Sequence, residues 1–180
     1  MIEKIFGFFK YNFLRILNFR KLYTKGLKGY LGTGSKIIVK NKSKIYLGDK
    51  TWISDYCALV STGRGLNIGD NCYFNSNVRI ISMDQIEIGN NCLFGPNVVI
   101  VDHNHKHDDL KKLICNQGYE YKKVEIGSDC WICANVVITP GSRIGDRIVV
   151  AANSVVIGNL TISGTYAGIP AKLVKKQGEE

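Results

Sequence analysis

Proline and histidine each occur only three times in this chain of 180 residues, against 19 glycines. Few prolines with many glycines suit short strands joined by tight turns and speak against a Pro-rich disordered chain. No apolar run is long enough to cross a bilayer. The first 23 residues are broken by Lys4, Lys10 and Arg15, which excludes a spanning helix and leaves neither the apolar stretch nor the small-residue cleavage site of a secretory signal. Six cysteines in a chain of this length do not make a disulfide scaffold. The C-x-x-C formed by Cys130 and Cys133 lacks the second pair that a structural zinc site needs. Cys72, Cys92 and Cys130 fall on a repeating small-residue position, so buried structural thiols in a reducing compartment are expected.

What is present describes an ordinary single domain, 45% apolar and 22% charged. The net charge of +9 is uneven: residues 1–30 hold Lys4, Lys10, Arg15, Arg20, Lys21, Lys25 and Lys28 against Glu3. Such a patch attracts phosphates of any kind. There is no recognition-helix, zinc-finger or RNA-binding signature, so no nucleic-acid partner is expected. Residues 1–23 read as an amphipathic helix with Ile5, Phe9, Phe13, Ile16 and Leu17 along one side. That side suits packing on the body or a sister subunit, and equally an anionic membrane surface, which the density of Phe6, Phe8, Phe9, Tyr11, Phe13 and Phe19 encourages.

A repeat decides the architecture. Aliphatic residues return every sixth position as Ile126, Ile132, Ile138, Ile144, Val150, Val156 and Ile162. The spacing recurs earlier as Leu47, Ile53 and Leu59, as Ile68, Phe74 and Ile80, and as Ile88, Phe94 and Ile100. A second small or β-branched residue sits four positions later, as in Thr51, Cys57, Cys72, Val78, Cys92, Val98, Val136, Ser142 and Ser154. Six is even, so a strand side chain returns to the same face at each recurrence. Three such steps close one turn of a triangular prism, and successive turns stack as parallel strands. Corners fall at Gly69–Asp70–Asn71, Gly89–Asn90–Asn91, Gly127–Ser128–Asp129 and Gly145–Asp146–Arg147. The expectation is an all-β parallel β-helix of about six coils. Residues 1–30 form a basic amphipathic cap, 31–166 the solenoid, and 167–180 a short C-terminal tail.

All three histidines lie within one short stretch, His103, His105 and His107, where the hexad register breaks. From Ile100 to Ile126 the chain runs eight residues longer than a coil, so a polar loop of about 102–123 is extruded, a common position for a functional site. The three rings alternate and would face one way on an extended strand, which raises a zinc site. With no histidine elsewhere in the chain, no metal is expected.

Here the chain resembles a known family. Ile88–Gly89–Asn90–Asn91–Cys92–Leu93–Phe94–Gly95–Pro96–Asn97–Val98 followed by His105 is similar to the active-site coil of the galactoside and maltose O-acetyltransferases. Val124–Glu125–Ile126–Gly127–Ser128–Asp129–Cys130–Trp131–Ile132 and the closing Gly168–Ile169–Pro170–Ala171–Lys172 match its later motifs. The hexapeptide-repeat acyltransferases of bacterial polysaccharide synthesis (capsule, O-antigen, colanic acid) are the subgroup it looks most like. The resemblance implies a left-handed coil, although physical preference alone favours right-handed crossovers. It also implies a homotrimer and an acetyl-CoA-dependent enzyme that acetylates a sugar or glycan acceptor.

Residue by residue, the resemblance makes His105 the general base and Asn75 the group that orients the acceptor hydroxyl. A backbone N–H near Ala134 would meet the oxyanion. Trp131 and His103 would shape the acceptor side, and Ala134, Ala152, Lys172 and Lys175 would hold the cofactor. Two departures stand out: Ile157–Gly158 replaces the family's Thr-Lys pair near the coenzyme, and His103 stands where the galactoside enzymes carry a small residue. Amino-sugar N-acetylation is an alternative, as is a non-catalytic or metal-binding β-helix. The expected location is the cytoplasm, including the inner face of its membrane.

Overall fold

The computed structural model describes residues 2–17 and 20–179, with the side chains of residues 5–14, 16 and 20–179. The six-residue period closes into a triangular prism with three parallel sheets as its faces. The first face stacks seven strands, from Leu22–Thr24 to Asn159–Leu160. The second stacks eight, from Tyr30–Leu31 to Gly164–Ala167 with a final Lys172–Lys176. The third stacks six, from Lys36–Val39 to Val155–Val156. The result is a left-handed parallel β-helix of about six coils.

The aliphatic hexad residues fill the axis. Ile68, Ile88, Ile126 and Ile144 are register partners on the first face. Phe74, Phe94, Ile132 and Val150 are partners on the second, and Ile80, Ile100, Ile138 and Val156 on the third. All are buried, and the Phe74 and Phe94 rings stack at 4.7 Å. Each such side chain contributes about 1.5–3 kcal/mol by leaving water. The second hexad position is buried as well, including Cys57, Cys72, Cys92 and Cys130, whereas Cys115 is exposed on the extruded loop.

At the corners it is the third residue of each triplet that turns left-handed: Asn71, Asn91, Asp129 and Arg147 all have φ near 58°. The glycine is needed for another reason. A Cβ on Gly89 would fall 2.6 Å from Ser128 Oγ and 2.7 Å from the Gly127 carbonyl carbon, so the coils could not stack at sheet spacing. Along a neighbouring edge, the amides of Asn77, Asn97, Asn135 and Asn153 form a ladder, each Nδ2 donating to the next Oδ1 at 2.8–3.0 Å.

The sequence periodicity misplaces one member of the column. Ile162 is 48% exposed, and Leu160, the partner of Ile144, occupies its place. The turn after Val156 is shortened around Gly158, which has φ near 81°. Leu22–Thr24 pairs with Ile45–Leu47, so the first face begins inside the segment read as the cap. At the far end, Lys172–Lys176 turns back antiparallel on Gly164–Ala167 and covers that open edge.

The helix Ile2–Leu17 lies on the first coil, but not by the side the periodicity suggests. Gly7 sits against the ring of Tyr30, and Tyr11 is buried against Gly29. Leu14 packs on the core, and Lys10 Nζ donates to the Gly32 and Ser35 carbonyls at 2.9 and 3.3 Å. Those carbonyls belong to the uncovered first coil, so Lys10 satisfies part of an open edge. Ile5, Phe9, Phe13 and Ile16 point away from the body. The side chain of Leu17 lies outside the described residues.

Candidate active site

The chain leaves the third face after Val101, and Asp102 fixes the exit. Its carboxylate is fully buried. It accepts from the Met83 N–H at 2.8 Å, the Asp84 N–H at 2.9 Å and the Ser82 hydroxyl at 3.0 Å, all on the coil below. A buried carboxylate needs such donors. The same group holds His103 Nδ1 at 3.2 Å, leaving the ring of His103 half-buried and oriented.

Beyond it the extruded segment is a small antiparallel hairpin in which His103–His105 pairs with Tyr119–Tyr121. His105 lies directly opposite Tyr119, with ring centroids 4.3 Å apart. The imidazole is therefore exposed yet flanked by an aromatic wall that limits its rotation. His107, farther out, is exposed. The loop beyond carries Leu110, Leu113 and Ile114 out toward solvent, at 97%, 71% and 57% exposure.

The other sequence-predicted residues gather elsewhere. Asn75, Ala134 and Ala152 occupy the corner between the second and third faces on the third, fifth and sixth levels of the stack, with Gly95 on the level between the first two. Asn75 Oδ1 accepts the Ser76 N–H at 2.7 Å, which leaves its Nδ2 hydrogens for a ligand. Among the described residues the backbone N–H groups of Ala134 and Ala152 have no hydrogen-bond partner. Gly95 passes so close to Ala134 that a Cβ there would fall 2.6 Å from its nitrogen. Trp131 stands half-exposed on the adjoining second face beside Leu93. Lys172 and Lys175, both exposed, sit on the closing strand opposite Ala167 and Thr165.

Two groups thus form at opposite edges of the third face. The histidine hairpin leaves at the edge between the third and first faces, and the Asn75–Ala134–Ala152 column runs along the edge between the second and third. One chain does not bring them together. Grooves of 510 and 470 Å³ lie on the first face, and neither contains any of these residues. The half-buried Cys133 beside Ala134 is a poor nucleophile, because burial pushes its thiol pKa up. Among the described residues no group of three His, Cys, Asp or Glu side chains is placed to hold a metal ion.

Sequence reasoning overlooked Asp102 and Tyr119. Asp102 stands directly before His103 at a buried position of the repeat, and a carboxylate there was a readable signal. Nothing in the spacing announced Tyr119, because its approach to His105 depends on hairpin register.

Comparison with known proteins agrees with the repeat and the fold. Residues 123–158 match the model of the bacterial transferase hexapeptide (six repeats), and residues 85–101 that of the hexapeptide repeat of succinyl-transferase. The chain is 34% identical over 156 residues to the putative lipopolysaccharide biosynthesis O-acetyl transferase WbbJ of Escherichia coli, covering 79% of this chain and 76% of that protein. It is 33% identical over 132 residues to the galactoside O-acetyltransferase of E. coli, covering 72% of this chain and 63% of that protein. Among solved structures, the hexapeptide-repeat acetyltransferase VCA0836 of Vibrio cholerae, complexed with acetyl coenzyme A, superposes with a TM-score of 0.64 at 27% identity. That match covers 94% of this chain and 77% of the other. With its prism, its interrupted coil and these relatives taken together, the chain belongs to the hexapeptide-repeat acetyltransferase family.

Proposed function

We propose that this protein moves an acetyl group from acetyl-CoA to a sugar hydroxyl in the synthesis of a bacterial surface polysaccharide, working as a trimer on the cytoplasmic side of the membrane. The observation that carries the reading is the pairing of two incomplete half-sites: an exposed, walled imidazole at one edge of a face, and a column of unpartnered corner N–H groups at the other. When identical prisms pack edge to edge, each hairpin meets a neighbour's column, and every junction completes a site. The exposed Leu110, Leu113 and Ile114 on the same loop suit a reach onto the neighbouring subunit. Free buried cysteines suit a reducing compartment.

In this site His105 takes the proton from the acceptor hydroxyl as that oxygen attacks the thioester carbon. The Asn75 amide donates to the same oxygen and holds it in line. Negative charge gathers on the former carbonyl oxygen, and the Ala134 N–H, fixed by the corner, meets it. Collapse breaks the carbon–sulfur bond, and the imidazolium returns its proton to the departing thiolate. His103, held by Asp102, shapes the acceptor side together with Trp131. The Ala152 N–H lies along the coenzyme arm, and Lys172 and Lys175 are placed for its phosphates. The kinship with WbbJ supports a polysaccharide acceptor.

The test is thiol release from acetyl-CoA over a panel of nucleotide sugars and lipid-linked oligosaccharides, with products identified by mass spectrometry. His105→Ala is expected to lower turnover by about 10²–10⁴-fold with the fold intact. Undiminished turnover in that variant would overturn the assignment, and a product amide in place of an ester would move the acceptor to an amino sugar.

A further inference from the structure

The helix that caps the prism is docked by glycine, lysine and tyrosine, and its most apolar side is turned outward. Phe6, Phe9, Phe13 and Ile16 are 61–73% exposed, and Ile5 and Leu27 beside them are more than half exposed. A soluble monomer rarely leaves so contiguous an aromatic patch uncovered.

Charge is concentrated at the same end. Residues 1–50, which make up the helix, the first coil and the start of the second, carry twelve Lys and Arg against Glu3 and Asp49 alone. The remaining 130 residues carry twelve against thirteen acids. The whole positive excess of the protein therefore sits at one end of the prism. Lys28, Lys36, Lys40 and Lys42 are exposed there, and none of them has an acidic partner among the described residues. Lys25 is committed to Asp70, and Lys44 lies over the Tyr23 ring.

We infer that the capped end is a docking surface for an anionic lipid bilayer, with the outer side of the helix entering the headgroup region and the lysines of the first coil resting on the phosphates. A protein partner would need an acidic rim around an apolar cleft, whereas an anionic membrane offers both features in one plane. Aromatic rings at the interface with cations at its border are the residues such a surface selects. No described helix is long and apolar enough to cross the membrane, so attachment is peripheral. The inference stands apart from the catalytic assignment, because none of the residues it uses lies in the proposed site.

The experiment is co-sedimentation of the full chain with extruded vesicles of phosphatidylcholine alone or with about one third phosphatidylglycerol. The expected result is recovery with the anionic vesicles at least about tenfold above the neutral ones, abolished by high salt as screening shortens the reach of the lysines. Phe9→Ser with Phe13→Ser should lower recovery about tenfold while leaving acetyl-CoA binding and the thermal midpoint unchanged. Lys28→Glu with Lys36→Glu and Lys40→Glu should do the same without touching the helix. Equal recovery on both vesicle types, or none, overturns the inference. So does a fall in oligomeric mass in the phenylalanine variant, which would show the face covered by a second copy of the chain.

Discussion

A carboxylate sealed beneath a hairpin and held by two backbone N–H groups and a hydroxyl does its work through geometry. Asp102 ties the exit of the extruded segment to the coil below, so its removal strands the Met83 and Asp84 N–H groups in a buried place. Asp102→Ala is expected to cost about 1–3 kcal/mol for the unsatisfied donors, read from denaturant unfolding. Turnover should fall with it, while the KM for acetyl-CoA stays level, because Asp102 touches nothing on the Ala134 edge. A raised coenzyme KM would contradict the separation of the two half-sites. The thiols give an independent check on the packing. Burial pushes the Cys57 thiol pKa up, and Cys72, Cys92 and Cys130 lie in the core. A thiol reagent at neutral pH should modify Cys115 at once, Cys133 slowly, and the other four only on unfolding.

At the scale of elements, the weak point of a solenoid is the coil that carries an insertion, and here a small ionic network clasps it. Lys123 Nζ, at the return from the loop, lies 2.7 Å from Glu87 on one coil and 2.6 Å from Glu125 on the next. Its hydrogen bond holds the Glu125 carboxyl below its ordinary pKa of 4.5, and the two carboxylates raise the lysine. The contribution is therefore complete at neutral pH and is lost as acid protonates Glu125 below that ordinary value. Partial exposure keeps it small, under about 1 kcal/mol. Lys123→Ala should melt slightly lower than the parent at pH 7, and the difference should vanish toward pH 3. A gap that persists in acid would mean that the lysine acts by packing.

The same elements show what the sequence could tell. The columns were legible because one side chain per hexad must face the axis, and side-chain period alone fixes that. Leu160 was not legible, since the shortened turn at Gly158 resets the count after Val156. The orientation of the helix was not legible either: hydrophobicity marks a side of Ile5, Phe9 and Phe13, but Gly7 and Gly29 decide the contact by letting Tyr30 and Tyr11 approach. His105 was singled out through its motif and its loop. Asp102 escaped because its value depends on amides a whole coil away.

For the whole molecule, the proposed division of the site between two edges would make assembly a condition of activity. Light scattering should give the mass of three chains at assay concentration. Leu110→Ser with Leu113→Ser and Ile114→Ser should shift the protein toward single chains and abolish turnover, with its circular dichroism unchanged. A fully active monomer would refute the shared site.

The stacking of the coils also acts as a ruler. The histidine hairpin leaves the fourth coil, about 14 Å above the first at a rise of roughly 4.8 Å each, and the capping helix adds about 10 Å more. A prism standing on a bilayer by its capped end would hold the His105 imidazole well clear of the headgroups. An acceptor tethered in that bilayer reaches the base only when its glycan is long enough to climb past three coils, so the scaffold would discriminate by length before any pocket discriminates by sugar.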